Sequence, residues 1–260
     1  MARAWRPAYA CTYVISDICG NAASLEVILN RIFPLRFSED QQDRCIFLGN
    51  YIDKFDYGCD VIELLIRVKQ EYNNDKVIFL RGKHDELMLR AFHGGEVDFN
   101  LWMEASGRTT IAGYLKNAKS KASPYDINRN RLKDLIPNTH IEFLQHTDHY
   151  YIIDQYCIFN SGFNVKQSIK ENNLNNFCFD TTSSKYIKDC IRNKIEPSFI
   201  DPYIFIGSNN YQGKEPFIHP KYMMLGGTDK IIILELNSME MSAISNGKSR
   251  IYKYNYDVVE

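Results

Sequence analysis

The sequence predicts an α/β fold in which parallel strands are joined by helices. Three short apolar runs in the first third of the chain are each followed by apolar residues at helical spacing. Each run also ends in a polar turn, and these turns read SDICGN from Ser16, LGNYIDKF from Leu48 and LRGKHDE from Leu80. Because a strand–helix–strand rhythm implies right-handed crossovers between parallel strands, we expect the three turns to meet at one edge of a sheet.

The elements of the first third follow one another in that rhythm. The predicted strands are residues 9–15, 45–48 and 77–80. The apolar positions of the first helix are Leu25, Ile28, Leu29 and Ile32, and those of the second helix are Val61, Leu64, Leu65 and Val68. A third helix is predicted over residues 86–92, directly after the third strand. Apolar residues three and four positions apart lie on one helix face, which predicts that each helix packs on the sheet.

The rest of the chain is predicted as a helical excursion followed by further strands. The excursion covers about residues 96–143, and its charged stretch 116–131 is predicted to be an exposed loop or lid edge. An Asn-rich segment near Asn172 is predicted to be a polar loop. Strands return at residues 150–153, 156–159, 203–206 and 231–236. With no repeat and no Gly-, Ser- or Pro-rich linker, residues 1–260 are predicted to form a single domain.

Composition limits the classes of partner and compartment. The chain has 260 residues, and its 31 basic residues nearly balance its 32 acidic ones. Overall charge therefore suggests neither a nucleic acid nor an anionic membrane surface, and a local patch is left open. No apolar run reaches the length of a membrane span and no signal-peptide pattern is present. Because the seven cysteines are scattered singly, we expect reduced thiols. The protein is expected to be cytoplasmic, or exported without a cleavable signal.

The order, spacing and flanks of the three turns resemble those of the calcineurin-like metallophosphoesterases, in the branch of bacterial phosphoprotein and diadenosine-polyphosphate phosphatases. That family has G-D-x-H-G, G-D-x-x-D-R-G and G-N-H-E at these turns. The segments at residues 102–114, 140–164, 205–210 and 223–240 are similar to later family segments. The resemblance implies a four-layer α/β/β/α sandwich, in which two mixed sheets are flanked by helices.

The resemblance also implies a site for two divalent metal ions that activate hydroxide and hold phosphoryl oxygens. The positions equivalent to the six metal ligands are Asp17, Cys19, Asn50, Lys83, Asn160 and Ser208. Only Asp17 keeps the family's residue, so no metal cofactor is expected; the alternative is Mn²⁺ or another divalent ion. Since an ammonium group repels cations, we expect Lys83 to enter the vacated site and pair with Asp17. The alternative is that Lys83 turns outward to solvent.

Two catalytic positions of the family are retained outside the metal shell. His84 matches the general acid, and Asp53 matches the carboxylate that orients it. The alternative is that these two residues persist only as a hydrogen bond between two loops. Lys54 stands where the family has a phosphate-binding Arg, and it is predicted to bind phosphate together with Lys83. Four other histidines, His140, His146, His149 and His219, are predicted to be solvated surface residues.

The altered ligand positions predict a pseudophosphatase, which binds a phosphorylated ligand or a protein partner and lacks two-metal hydrolysis. The alternative is an active metal-dependent phosphoesterase that acts on phosphoproteins or dinucleoside polyphosphates. A third possibility is a structural subunit whose interface lies on the excursion around residues 96–131. No membrane and no nucleic acid is expected among the partners.

Overall fold

A computed structural model describes residues 11–36, 43–72, 75–208, 216–226, 230–245 and 248–250. Its strands are β1 (Thr12–Ile15), β2 (Arg44–Phe47), β3 (Val77–Phe79), β4 (Tyr150–Ile153), β5 (Tyr156–Phe159), β6 (Ile204–Gly207), β7 (Phe217–His219), β8 (Tyr222–Met224), β9 (Ile231–Glu235), β10 (Glu240–Ser245) and β11 (Lys248–Arg250). Its α-helices are α1 (Ala22–Arg36), α2 (Gly58–Glu71), α3 (Lys83–His93), α4 (Glu96–Trp102), α5 (Arg108–Asn117), α6 (Arg129–Leu135), α7 (Asn138–Gln145), α8 (Leu174–Phe179) and α9 (Thr182–Arg192).

The strands form two mixed sheets. In the first sheet the order is β11-β10-β9-β1-β2-β3; β1, β2 and β3 are parallel, and the other three strands are antiparallel to their neighbours. In the second sheet the order is β4-β5-β6-β8-β7, with parallel β5, β6 and β8 between two antiparallel edge strands. The parallel pairing predicted for the first three strands is confirmed. Residues 9 and 10, the start of the first predicted strand, lie outside the described residues.

Alternation along the strands packs the two sheets face to face. Val14 and Ile46 of the first sheet share one buried cluster with Ile158 and Ile206 of the second. Their strand neighbours point the opposite way, so that Phe47 packs under the helices of the first sheet. Because successive side chains of a strand face opposite sides, each sheet has one face toward the other sheet and one toward helices.

The helices cover the outer faces, which completes the four predicted layers. The helices α1, α2, α3, α5 and α7 contribute to the cluster on the outer face of the first sheet. Phe177 of α8 and Ile187 of α9 are buried on the outer face of the second sheet. The predicted α/β/β/α sandwich of two mixed sheets flanked by helices is therefore confirmed. None of the helices in the described ranges is long and apolar enough to cross a membrane.

Three local predictions in the middle of the chain are corrected. The Asn-rich segment after Asn172 is the helix α8, because Asn173 accepts a hydrogen bond from the Asn176 N–H at 3.3 Å and Phe177 is fully buried. Only part of stretch 116–131 is a loop, since α5 runs to Asn117, a 3₁₀ turn covers Pro124–Asp126 and α6 begins at Arg129.

His140 is fully buried, not solvated. It is held between Tyr114 Oη and Glu63 Oε1, each at 2.8 Å from a ring nitrogen. The helices α2, α5 and α7 supply these three side chains, so a residue on an apparently polar helix end becomes a buried contact between helices.

Candidate functional site

The three polar turns meet at the carboxyl ends of β1, β2 and β3, as predicted. The Cys19 N–H donates to the Asn50 carbonyl at 2.7 Å, and the Gly20 N–H donates to the Tyr51 carbonyl at 2.8 Å. In return, the Phe55 N–H donates to the Cys19 carbonyl at 3.1 Å. These backbone bonds join the first turn to the second along their length.

Two glycines allow the second and third turns to touch. Gly49 has φ 101°, and a Cβ built on it would lie 2.3 Å from the Gly82 nitrogen. A Cβ on Gly82 would lie equally close, at 2.3 Å, to the Asn50 nitrogen. Only a residue without a Cβ fits at such a backbone approach.

Backbone strain is concentrated in the same turns. The residues Cys19, Asn50, Asp53 and Lys54 all have positive φ, between 52° and 67°. Such left-handed conformations are uncommon outside glycine and cluster at functional sites. The strain therefore marks these turns as the candidate site by a criterion independent of the sequence motifs.

Asp85, which the sequence interpretation missed, joins the second turn to the third. Its fully buried carboxylate accepts hydrogen bonds from the N–H groups of Asn50 at 2.7 Å, Tyr51 at 2.9 Å and Gly82 at 2.9 Å. Burial raises the pKa of Asp85 to about 7, and the three N–H groups oppose that rise. The sequence signal that could have found it is an acidic residue in the first turn of a predicted helix, where it can cap backbone N–H groups.

His84 and Asp53 form a hydrogen-bonded pair across the same two turns. His84 Nδ1 lies 2.7 Å from Asp53 Oδ2, with the imidazole 29% exposed and the carboxylate 1% exposed. Burial lowers the pKa of His84, but the hydrogen bond and charge of Asp53, with help from Asp85 and Asp17, outweigh it and raise that pKa. A hydrogen bond between two loops was the alternative role predicted for His84 and Asp53, and this hydrogen bond is present.

The helical excursion locks the Asp53 carboxylate. Thr110 Oγ1 donates to Asp53 Oδ1 at 2.6 Å and accepts from the Asp53 N–H at 2.9 Å. The indole Nε1 of Trp102 donates to Asp53 Oδ2 at 3.2 Å. Both residues lie in the segment 102–114, which resembles a family segment, but no role was predicted for either of them. They became recognisable only when the fold brought α4 and α5 over the second turn.

The positions equivalent to metal ligands are hydrogen-bonded to one another. Asn160 Nδ2 donates to Asp17 Oδ1 at 3.1 Å and to the Leu48 carbonyl at 2.7 Å. Asn160 Oδ1 accepts from Asn50 Nδ2 at 3.2 Å. The Asp17 N–H donates to Ser208 Oγ at 3.0 Å. The structure thus brings together four of the six positions through direct hydrogen bonds, one of which is donated by the Asp17 backbone.

Burial and hydrogen bonding act in opposite directions on the Asp17 carboxyl. Burial raises the pKa of Asp17 above its ordinary value. Hydrogen bonds from Ser208, Asn50 and Asn160 lower it, as does the charge of His84. Burial prevails, and the pKa of this carboxyl is raised.

The predicted ion pair between Lys83 and Asp17 is wrong. Lys83 is the first residue of α3 and its side chain is exposed. Within the residues that the structure describes, the ion pairs do not include one between Lys83 and Asp17. The amides of Asn160 and Asn50 satisfy the Asp17 carboxylate instead, so no ammonium group is needed there.

Cys19 and Lys54 complete the candidate positions. Burial raises the pKa of the Cys19 thiol well above its usual range, and the nearby charge of Asp17 raises it further. Lys54 is exposed beside the dyad, with Nζ 5.5 Å from the centre of the Phe55 ring. Phosphate binding by Lys54 and Lys83 stays a prediction.

These residues do not fit the two-metal centre that the resemblance implies. Two hard cations need several anionic or lone-pair donors directed at them. Here the donors are one half-buried carboxyl, two amides that bond each other, a hydroxyl and a thiol. Across the described ranges, no three His, Cys, Asp or Glu side chains are grouped so that they could hold a metal ion.

Comparison with known proteins gives the class of this fold. The family model for calcineurin-like phosphoesterases matches residues 12–182. The chain therefore belongs to the calcineurin-like phosphoesterase family.

Among curated proteins, the chain is similar to "Putative serine/threonine-protein phosphatase C06A1.3" of Caenorhabditis elegans, with 29% identity over 92 residues. That match covers 32% of this chain and 25% of the nematode protein, so the chain spans about a quarter of this relative's length.

Solved structures show the same fold over nearly the whole chain. A crystal structure described as that of "a putative diadenosine tetraphosphatase" superposes with a TM-score of 0.58 at 12% identity, covering 92% of this chain and 95% of the other. A protein serine/threonine phosphatase of Saccharomyces cerevisiae gives a TM-score of 0.51 at 12% identity, covering 86% and 72%. A cold-active protein-tyrosine phosphatase of Shewanella also gives a TM-score of 0.51 at 12% identity, covering 93% of this chain and 80% of the other. At such identities the likeness concerns the fold alone.

Proposed function

We propose that this chain is a pseudophosphatase, a binding or regulatory module that keeps the phosphoesterase frame and lacks two-metal hydrolysis. One observation carries the proposal: the positions expected to hold metal ions are hydrogen-bonded to each other. The side-chain amide of Asn160 donates hydrogen bonds to Asp17 and to the Leu48 carbonyl, and its oxygen accepts one from Asn50. An N–H group directed at the remaining carboxylate occupies the place where a cation would need a lone pair.

The electrostatics of the cleft support an anionic ligand in place of a metal. The raised pKa of His84 favours the imidazolium form, and exposed Lys54 and Lys83 lie on the two adjoining turns. Cationic groups on neighbouring turns attract phosphate, and an imidazolium can donate to its oxygens. The proposed ligand is a phosphorylated group, either free or on a protein partner.

Metal analysis and a phosphatase assay on one protein sample test the proposal. We expect purified protein dialysed against Mn²⁺ to retain much less than one equivalent of metal and to hydrolyse p-nitrophenyl phosphate no faster than His84→Ala. A matched variant restores the family's residues through Cys19→His, Asn50→Asp, Lys83→Asn, Asn160→His and Ser208→His together. This variant should gain metal binding. Stoichiometric metal in the natural protein, with turnover abolished by His84→Ala, would contradict the proposal.

A second candidate is an active phosphoesterase, and the ordered dyad favours it. The contacts of Asp53 with His84, Thr110 and Trp102 fix a carboxylate that can orient the imidazole, and a general acid needs such an orienting partner. Serine/threonine phosphoprotein and dinucleoside polyphosphate hydrolysis are the reactions that this candidate would perform. Measurable turnover of either substrate that depends on His84 would select this candidate.

A further inference from the structure

A basic segment with exposed isoleucines lies on the outer layer of the second sheet. Residues 185–200, which we call the isoleucine–lysine segment, include most of α9 and the loop after it. Ile191, Ile195 and Ile200 leave 43%, 61% and 60% of their surface exposed. Three large aliphatic side chains are thus left in solvent within ten residues of sequence, beside a run of basic residues.

The charge of the segment is opposite in sign to that of the whole chain. The chain has a formal net charge of −1. Between residues 185 and 195 the only acidic residue is Asp189, and the basic ones are Lys185, Lys188, Arg192 and Lys194. Glu196, the next acidic residue, is neutralised by Lys221, with Nζ and Oε1 2.6 Å apart. The isoleucines are therefore surrounded by excess positive charge.

Helical spacing places the apolar and basic groups side by side. Lys188, Ile191 and Arg192 follow one another at intervals of three residues and one residue, which is the spacing of one face of α9. The helix ends at Arg192, but the Ile195 N–H donates to the Cys190 carbonyl at 2.8 Å and keeps Ile195 next to the last turn.

The loop that carries Ile200 is held against α9. Tyr186 Oη donates to the Ser198 carbonyl at 3.2 Å and accepts from the Ser198 N–H at 3.1 Å. Lys221 Nζ also donates to the Pro197 carbonyl at 3.4 Å. The Ile169 N–H donates to Asp201 Oδ2 at 2.6 Å, which brings exposed Lys170 close to the same loop. These contacts preorganise the protruding residues.

We propose that the isoleucine–lysine segment binds the surface of an anionic lipid bilayer. Its composition favours a bilayer over a protein partner. Protein interfaces are rich in aromatic residues and poor in Lys, whereas this segment exposes isoleucines beside Lys185, Arg192 and Lys194. Aliphatic residues that enter the headgroup boundary, flanked by lysines that meet anionic lipids, are the pattern of a peripheral membrane contact.

Co-sedimentation of the full chain with vesicles tests this proposal. We expect binding to vesicles of phosphatidylcholine with about one third phosphatidylserine, weak binding to phosphatidylcholine alone, and loss of binding in high salt, since added ions screen exposed charges. Lys185→Glu with Arg192→Glu should weaken partitioning about 25-fold or more, at roughly fivefold per basic charge lost. Ile195→Ser with Ile200→Ser should weaken it about tenfold or more.

A matched control uses exposed aliphatic residues elsewhere. Val97 and Leu101 of α4 are 73% and 49% exposed and lie among the acidic residues Glu96 and Glu104. Val97→Ser with Leu101→Ser should leave vesicle binding unchanged. Equal binding to neutral and anionic vesicles, or loss of binding in the α4 control, would overturn the proposal. Binding to poly-glutamate without binding to vesicles would overturn it in favour of an acidic protein partner.

Discussion

The side-chain amide of Asn160 donates to the carboxylate of Asp17 at 3.1 Å, across 143 residues of sequence. The two residues follow strands of different sheets, so this bond spans the cleft between the carboxyl ends of β1 and β5. A polar network of this kind stabilises the site only if each of its buried groups has a partner.

Removing the Asn160 amide should therefore destabilise the fold more than a surface substitution. Asn160→Ala leaves Asp17, the Leu48 carbonyl and Asn50 each without one partner. We expect a loss of about 2–4 kcal/mol in the free energy of unfolding, since each unsatisfied buried group costs about 1–3 kcal/mol. Urea denaturation measures it, with exposed Asn100→Ala as the control. A loss below that of the control would show that the network is not formed.

The charge on His84 should make stability depend on pH. Because folding raises its pKa, the folded protein binds this proton more tightly than the unfolded chain. The stabilisation is complete below the ordinary pKa of 6.5 and is lost as the pH rises through the higher folded value. The difference in unfolding free energy between the natural protein and His84→Gln should shrink across that window.

Titration of the His84 imidazole by NMR checks the same cause directly. The midpoint should lie above 6.5 in the natural protein and fall in Asp53→Asn, because the hydrogen bond and charge of Asp53 raise the pKa of His84. A midpoint that does not move in Asp53→Asn would contradict this assignment.

Asp85 should hold the second and third turns in their observed conformation. In Asp85→Ala, three backbone N–H groups lose their acceptor. We expect a destabilisation of about 3 kcal/mol or more, since several buried donors are left unpaired at once. Hydrogen exchange should show lost protection at Asn50, Tyr51 and Gly82.

A matched control for Asp85 exists one helix later. Asp98 also accepts from the backbone N–H three residues before it, that of Gly95 at 3.2 Å, but in an exposed setting. Asp98→Ala should cost less than about 1 kcal/mol, as expected for an exposed helix cap. Similar losses in the two variants would rule out the bridging role of Asp85.

Thr110 should position Asp53 through its hydroxyl. Thr110→Val keeps the shape but removes both bonds to Asp53, which should cost about 1–3 kcal/mol and lower the midpoint of His84 titration. Thr110→Ser keeps the hydroxyl and should restore both properties. If the serine variant loses as much stability as the valine variant and its His84 midpoint falls as far, the Thr110 hydroxyl does not position Asp53.

Much of the frame is predictable from sequence because it depends on local patterns. Apolar runs with helical spacing between them locate β1, β2 and β3 and the helices that follow, and the predicted bounds differ from the observed ones by a few residues. The bond between His84 and Asp53 was also foreseen as one alternative. The helix α8 was missed because its apolar face is short and its Asn residues favour turns, although Asn173 serves as a cap.

The side-chain partners could not be read in the same way. His140 is polar by composition, yet its burial depends on Tyr114 and Glu63, which belong to other helices. The expected partner of Asp17 was the oppositely charged Lys83. Its actual partners are neutral amides, since the direction of a side chain at the start of a helix is set by the fold.

The sequence by itself determined the order of the elements, the convergence of three turns and the family that they resemble, because strand and helix periodicity and turn residues are local properties. Tertiary structure decided how the altered positions are used. Asn50, Asn160 and Ser208 could have faced metal, solvent or one another, and only the meeting of the two sheets directs them to each other and to Asp17. Hydrogen bonds are short-ranged and directional, so their pairing is fixed by positions within a few ångströms that no local pattern encodes.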